Sequence, residues 1–487
     1  MSGRRYSARV NCRTLALALA LVLAGCASAP GVRVTSADTV RDSVVTPIVP
    51  ATEGDGVGDV LFANLGNPGI DVTHYDVDIA YDSSTDVVAG TVGMDLTLTE
   101  DRTSFTLDSA GPVVNAVTIN TVDAEFDNDE PELRITLPQQ GHAGDHLRVE
   151  VAYRVETGPV GSAVGLDSGW FNTDGGSYVL NEPDAARTWL PCNDHPSDKA
   201  TYTFTIEVPS NVTAVANGSL KDHRSKGDST VWVWQEDRPM ATYLVQLLTG
   251  DYQIIESDGP GGLPLVSVVL RDDLTTMQPF IDETPKMIEF FQTYFGAYPL
   301  DRYGIAITDS FSGLAMETQE RSLFSRDDFA GGRLGGMQQQ LLSHELAHQW
   351  FGDAVSPARW KDIWLNESFA TYGEWMWSDH IGGGDLDTTA RDELRFRSPG
   401  SSADPAVGDL FGGNSYGGGA VVLHALRLTI GDEAFFELLT RWVAENNGES
   451  RTTDDFIALA AHVAGKPLTG FFDEWLFAAV PPTHFPA

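Results

Sequence analysis

From about residue 61 to residue 255, apolar and polar side chains alternate with a period of two. Tyr75, Val77, Ile79 and Tyr81 take turns with His74, Asp76, Asp78 and Ala80. Val92, Met94, Leu96 and Leu98 repeat the pattern, as do Leu147, Val149, Val151, Tyr153 and Val155, and later Tyr202, Phe204, Ile206 and Val208. Turn residues separate the runs. Half-buried strands of an antiparallel β domain have this signature. From about residue 275 the period becomes helical. Thr284 before Pro285 reads as an N-cap and first-turn pair, and Ile288, Phe291 and Phe295 then fall near one face. After one strand-like stretch, Tyr303 to Thr308, helices are predicted over roughly 335–351, 365–381, 385–397, 416–430, 433–446, 453–464 and 468–478. The fold class is therefore α+β and multidomain, with an antiparallel β domain at 61–255 and a mostly helical domain at 256–487.

Composition narrows the partners. The 487 residues are 42 % hydrophobic and 10 % aromatic, enough for each domain to bury its own core. The formal charge is −38, from 69 acidic and 31 basic residues. Nucleic acid is excluded as a partner, because phosphate binding needs a basic surface.

The N-terminus predicts a compartment. Arg4, Arg5, Arg9 and Arg13 precede an almost wholly apolar run, residues 14–24. That run is too short to anchor a bilayer-spanning helix and suits the core of a secretory signal. It ends in Leu23-Ala24-Gly25-Cys26, which resembles a bacterial lipobox. The expectation is a signal over residues 1–25, a lipid on Cys26 that anchors the chain to the membrane outside the cytoplasm, and a flexible tether over 26–60. An ordinary cleaved signal with an incidental cysteine is the alternative. Once Cys12 leaves with the signal and Cys26 carries lipid, Cys192 is alone and no intramolecular disulfide forms.

Residues 344–348 read His-Glu-Leu-Ala-His within a helix-compatible run closed by Gly352. Positions i and i+4 share a helix face, so His344 and His348 point to one spot. Two imidazoles suit zinc, and a catalytic site adds a third protein ligand and an open position. Glu367 lies nineteen residues after His348 on the next predicted helix, where it can reach the same ion. Glu345, beside the first ligand, is the natural general base. Glu374, two turns beyond Glu367, reads either as a carboxylate that orients a ligand histidine or as a solvated helix glutamate. Trp350, Trp360, Trp364, Trp375 and Trp377 read by default as core packing.

This motif, with eighteen residues and a glutamate after it, resembles the gluzincin aminopeptidases, the family of aminopeptidase N and the leukotriene hydrolases. The resemblance covers nearly all of residues 60–487 and implies a thermolysin-like catalytic domain with one zinc ion. Three further segments carry it. Leu314-Ala315-Met316-Glu317-Thr318 resembles the family's Gly-Ala-Met-Glu-Asn edge strand. It implies that Ala315 and Met316 line the cleft and that Glu317 pairs with the α-ammonium of a peptide; Leu314 and Thr318 are departures. Asn181-Glu182 with Arg187, Pro191, Cys192 and Asp194 resembles the segment that supplies a second amine-binding acid, here Glu182, with Leu180 in place of the usual glutamine. Tyr416-Gly417-Gly418-Gly419-Ala420 resembles the segment whose tyrosine stabilises the oxyanion, with Gly418 where the family often has a base.

Together these readings predict a zinc metallo-aminopeptidase acting on peptides with a free N-terminus. An endopeptidase would share the zinc core without needing Glu182 and Glu317. An epoxide-opening variant has no positive sign in the sequence. A non-catalytic peptide-binding lipoprotein would tolerate loss of Glu345 or Tyr416, and both are present.

Overall fold

A computed structural model describes residues 56–129 and 131–486. Cys26, the predicted signal and most of the predicted tether lie outside the described residues. Among the described residues no helix is long and apolar enough to cross a membrane.

The N-terminal half is β structure, as its alternation predicts. Its main sheet has eight strands in the order Ser219–Lys226, Ser229–Ala241, Lys199–Pro209, Ile70–Asp82, Val87–Leu98, His146–Glu156, Val113–Ile119 and Val122–Asp123. All neighbours in it run antiparallel except Ile70–Asp82 with Lys199–Pro209, where Val77 lies opposite Phe204 in parallel register. Strand Ile70–Asp82 buries Val72, Tyr75, Val77, Ile79 and Tyr81 on one face and leaves Asp71, Thr73 and Asp78 in solvent. Alternation makes this unavoidable, since a slip of one residue would expose every apolar side chain of the strand. A second sheet of five strands contains Gly176–Leu180, which runs directly into Glu182.

Near Tyr252 the chain enters a third sheet, of five strands, in the order Tyr252–Asp258, Pro264–Leu270, Ile305–Thr308, Ser322–Ser325 and Ala315–Met316. Three of these strands are parallel neighbours and the last is a two-residue edge. The hydrophobic pattern signals only one of them, Ile305–Thr308, and the family resemblance a second, Ala315–Met316. Pro264–Leu270 reads Pro-Leu-Val-Ser-Val-Val-Leu, and a continuous apolar run in a doubly covered sheet carries no period to detect. Helices follow, with Gly336–His348, Trp364–His380, Leu386–Phe396, Gly419–Ile430, Asp432–Asn446, Thr453–Ala464 and Thr469–Trp475 close to their predicted spans. Helix Thr284–Phe295 corrects a detail. Its N-cap is Glu283, and the Thr284 hydroxyl donates backwards to the Ile281 carbonyl at 3.0 Å.

Two cores result. One is built on the main sheet and the other packs the helices on the third sheet. Leu314, Met316, Trp360 and Ile363 belong to the first core although they sit in the C-terminal half of the chain. Each fully buried side chain of this size contributes about 1.5–3 kcal/mol, so these residues weld the cleft strand and the inter-helix loop to the β domain. Asp59 adds a polar clasp: its carboxylate accepts from the Leu61, Phe62 and Trp360 amides and lies 3.3 Å from His195 Nε2.

Candidate metal centre and peptide cleft

Helix Gly336–His348 is buried from Leu341 onward, which fits a helix that crosses the middle of a domain. It stops because Gly352 takes φ +131°, and a Cβ there would crowd Asn366 at 3.2 Å and His348 Nδ1 at 3.3 Å. Only glycine turns the chain this tightly against the ligand. The chain then enters helix Trp364–His380, whose Gly373 lets the two helices touch: a Cβ there would meet that of Ala347 at 3.0 Å.

That approach brings the three predicted ligands together. Nε2 of His344 lies 3.4 Å from Glu367 Oε2, and Nε2 of His348 lies 3.5 Å from the same oxygen. Two atoms each about 2.1 Å from a tetrahedral ion are about 3.4 Å apart, so the spacing suits one zinc ion. The far sides of both rings are occupied. His348 Nδ1 donates to the Phe351 carbonyl at 3.1 Å, and His344 Nδ1 lies 3.6 Å from the Glu374 carboxylate. With Nδ1 engaged, each Nε2 lone pair is left facing inward. The alternative of a solvated Glu374 is set aside, because the residue is buried.

The predicted acids converge on the same place. Oxygens of Glu182, Glu317 and Glu367 lie within 4.8 Å of one another, and so do ligand atoms of Glu317, Glu345 and His348. Burial is the first cause that lifts Glu345 to about 8, with Glu317 and Glu367 adding to it and the two histidines opposing it. Burial and neighbouring acids also push Glu182 well above the usual carboxylate range and raise Glu317. One buried oxygen of Glu182 and one of Glu317 have no hydrogen-bond partner among the described residues. An unmet buried carboxylate oxygen is costly, and two of them side by side form a ready seat for a cation. Ala315 and Met316 pair with Phe324 and Leu323, which leaves their outer edge open to an extended chain.

The loop bearing Glu182 is held by its motif. Glu182 and Pro183 are joined by a cis peptide. Asn181 bonds the Val245 carbonyl at 2.8 Å and the Trp189 indole at 2.9 Å. Arg187 meets Asp184 at 2.6 Å, and its amide donates to Asp194 at 3.0 Å. Leu180 is buried in the β core.

Tyr416 lies on a π-helical turn, Asn414–Gly418, rather than inside the predicted continuous helix from 416. The Gly417-Gly418-Gly419 run permits this, and Ser368 of the second zinc helix donates to the Ser415 carbonyl at 2.6 Å. Its ring stacks on His344 at 5.9 Å. Burial first, then Glu367, Glu182, Glu317 and Glu345, raise its phenol, so it stays a proton donor. Thr318 turns into its own loop, bonding the Arg321 carbonyl at 2.5 Å. Sequence reasoning passed over Tyr243, whose hydroxyl donates to the Gly352 carbonyl at 3.1 Å and accepts from Asn366.

Two histidines and a glutamate beside a buried glutamate, on adjoining helices with an edge strand across the cleft, define a mononuclear zinc-peptidase centre. The comparisons with known proteins narrow that class. Residues 72–244 match the peptidase M1 N-terminal domain and residues 280–475 the peptidase family M1 domain. The chain belongs to peptidase family M1. It is similar to the M1 zinc metallopeptidase of Deinococcus radiodurans at 29 % identity, with a TM-score of 0.81, over 89 % of this chain and 100 % of that one. A mutant of that enzyme bound to the substrate Tyr-Ser-Ala matches at 28 % identity with a TM-score of 0.79, over 89 % of this chain and 99 % of that one. Among curated relatives, probable aminopeptidase 2 of Sulfurisphaera tokodaii is 29 % identical over 62 % of this chain and 41 % of its own length. Endoplasmic reticulum aminopeptidase 1 of Homo sapiens is 26 % identical over 78 % of this chain and 44 % of its own. The chain thus spans less than half the length of these two relatives.

Proposed function

We propose that the protein is a zinc aminopeptidase that removes the first residue of peptides with a free N-terminus. The observation that carries this is the pair of unpartnered buried oxygens on Glu182 and Glu317 beside Glu367. An α-ammonium fills that seat and supplies the hydrogen bonds the acids lack. The peptide then runs along Ala315 and Met316, with its first carbonyl over the metal centre. His344, His348 and Glu367 hold the zinc, which when bound polarises that carbonyl and lowers the pKa of water to about 7. Glu345 takes the water's proton on its carboxylate and passes it to the leaving nitrogen. Tyr416 donates its phenol proton as a hydrogen bond to the developing oxyanion. The peptide bound by the D. radiodurans enzyme and the aminopeptidase names of the relatives support this reading. The test is an aminoacyl-anilide with a free or an acetylated amine, with and without a chelator. Chelator-sensitive cleavage of the free form alone is expected, and equal cleavage of both forms overturns it.

We also propose that the enzyme works outside the cytoplasm, held to the membrane by a lipid on Cys26. The support is the arginine-flanked apolar run ending in Leu23-Ala24-Gly25-Cys26. Mass spectrometry of the mature N-terminus should find diacylglycerol on Cys26, and Cys26→Ser should move the protein out of the membrane fraction. A cleaved, unmodified N-terminus overturns the anchor.

A further inference from the structure

Glu317 Oε1 has no hydrogen-bond partner among the described residues, so the backbone that carries the side chain bears directly on where that oxygen sits. That backbone is gripped by one amide. Gln349, wholly buried and next in sequence to His348, donates from Nε2 to the Glu317 carbonyl at 3.1 Å. Its Oε1 accepts from the Glu320 amide at 2.8 Å and from the Tyr298 hydroxyl at 3.4 Å. Glu320 has φ +67°, a left-handed conformation that needs outside support in a residue with a side chain. Its carboxylate is fixed by the Arg302 guanidinium and the Asp301 amide. From the opposite side, Gln246 Nε2 donates to Thr318 Oγ1 and to the Arg321 carbonyl, each at 2.8 Å, and Asn217 donates to the Gln319 carbonyl at 3.0 Å. The β domain therefore holds Thr318, Gln319 and Arg321, while Gln349 bonds both Glu317 and Glu320 to the end of the zinc helix, and the Ser322 hydroxyl adds a bond to the Glu345 carbonyl at 3.2 Å.

We propose that Gln349 is a positioning residue that fixes the span between the amine seat at Glu317 and the metal ligand His348, and so sets the register at which the first peptide bond meets the metal. This rests on the aminopeptidase reading above. In a substrate the α-nitrogen and the first carbonyl are a fixed distance apart, so the enzyme must hold an equally fixed span. A shift of about 1 Å costs on the order of a hundredfold in rate.

The test compares three inhibitors on wild type and Gln349→Met, which keeps volume and removes all three side-chain hydrogen bonds. Leucine hydroxamate engages metal and amine seat, its N-acetyl form lacks the ammonium, and acetohydroxamate engages the metal alone. Gln349→Met should weaken leucine hydroxamate about tenfold or more. Acetohydroxamate affinity and zinc content should stay within twofold of wild type. Tyr298→Phe removes one hydroxyl that steadies the amide and should move leucine hydroxamate the same way by about two- to threefold; it tests the point even if Gln349→Met folds poorly. Equal weakening of leucine hydroxamate and acetohydroxamate, or no change in either variant, overturns the proposal. If wild type binds leucine and N-acetyl-leucine hydroxamates equally, the amine seat itself fails, a result visible before any variant is made.

Discussion

Two of the regions in which the molecule buries carboxylates treat them differently. Behind the cleft, Asp184 pairs with Arg187, while Asp108 accepts from Asn67 and from the Gly66 and Asp194 amides. Asp194 in turn accepts from the Arg187 amide and from Thr242. Inside the cleft, Glu182 and Glu317 each keep an oxygen unmet. Both regions pay desolvation, but the first recovers more of it within the protein: Asp108 leaves Oδ1 unmet while its Oδ2 accepts three bonds. The difference separates acids that hold the fold from acids held open for something that arrives later.

Four experiments press on that contrast. The largest effect belongs to Glu345→Gln. It should lower kcat about a thousandfold with zinc content unchanged, as steady-state kinetics and metal analysis would show. An unaltered rate would remove Glu345 from the chemistry. Next come paired variants from the two regions. Asp184→Ala strands the buried Arg187 cation and should cost about 3–5 kcal/mol of stability in denaturant unfolding. Glu317→Gln should lower kcat/KM for free-amine substrates about a hundredfold, with stability unchanged or raised by about 1 kcal/mol. If the two variants destabilise alike, the contrast fails.

Metal removal comes third. A ligand that binds only the folded state stabilises it by about 2.7 kcal/mol at a hundred times its Kd, so chelation should lower Tm by several degrees, and added zinc should restore it.

The smallest effect is a pH slope. Burial lifts Asp198 to about 7 from 3.8 despite bonds from the Val72 amide and Asn193. A carboxyl with a raised folded pKa keeps its proton when the unfolded chain has lost it. Its contribution is thus largest below the unfolded value and is lost as pH rises towards 7, by up to about 1.4 kcal/mol per pH unit. Asp59 runs the other way. His195 and the Leu61 and Trp360 amides outweigh its burial, the largest single influence, and hold it at about 2. Its contribution is therefore present above 3.8 and lost as pH falls towards 2. Wild type should lose stability between pH 5 and 7 more steeply than Asp198→Asn, and equal slopes in calorimetry would refute the assignment.

Much of this arrangement was legible in the sequence, and its limits have physical reasons. Helical spacing placed His344 and His348 on one face, and the closing Gly352 made a second helix bearing Glu367 a natural return path. Alternation exposed the main sheet because that sheet has a wet face and a dry one. Two of the three parallel strands of the catalytic half, Pro264–Leu270 and Ser322–Ser325, escaped notice because both their faces are covered. Tyr416, Glu182 and Glu317 were singled out only through resemblance, since neither a turn before a helix nor a strand glutamate announces chemistry. Gln349 gave no signal at all. A polar side chain on a buried helix end looks the same in sequence whether it fills space or spans two segments.

Asp59 has a mechanical consequence. It fastens the earliest described residues to Trp360 and His195, and Phe62 stacks edge-on against Trp360 at 6.0 Å. A pull arriving from the N-terminal side is therefore borne at the seam between the two halves, next to the loop that joins the zinc helices. Such a load would reach the loop between the two metal-ligand helices before it reached the broad sheet behind.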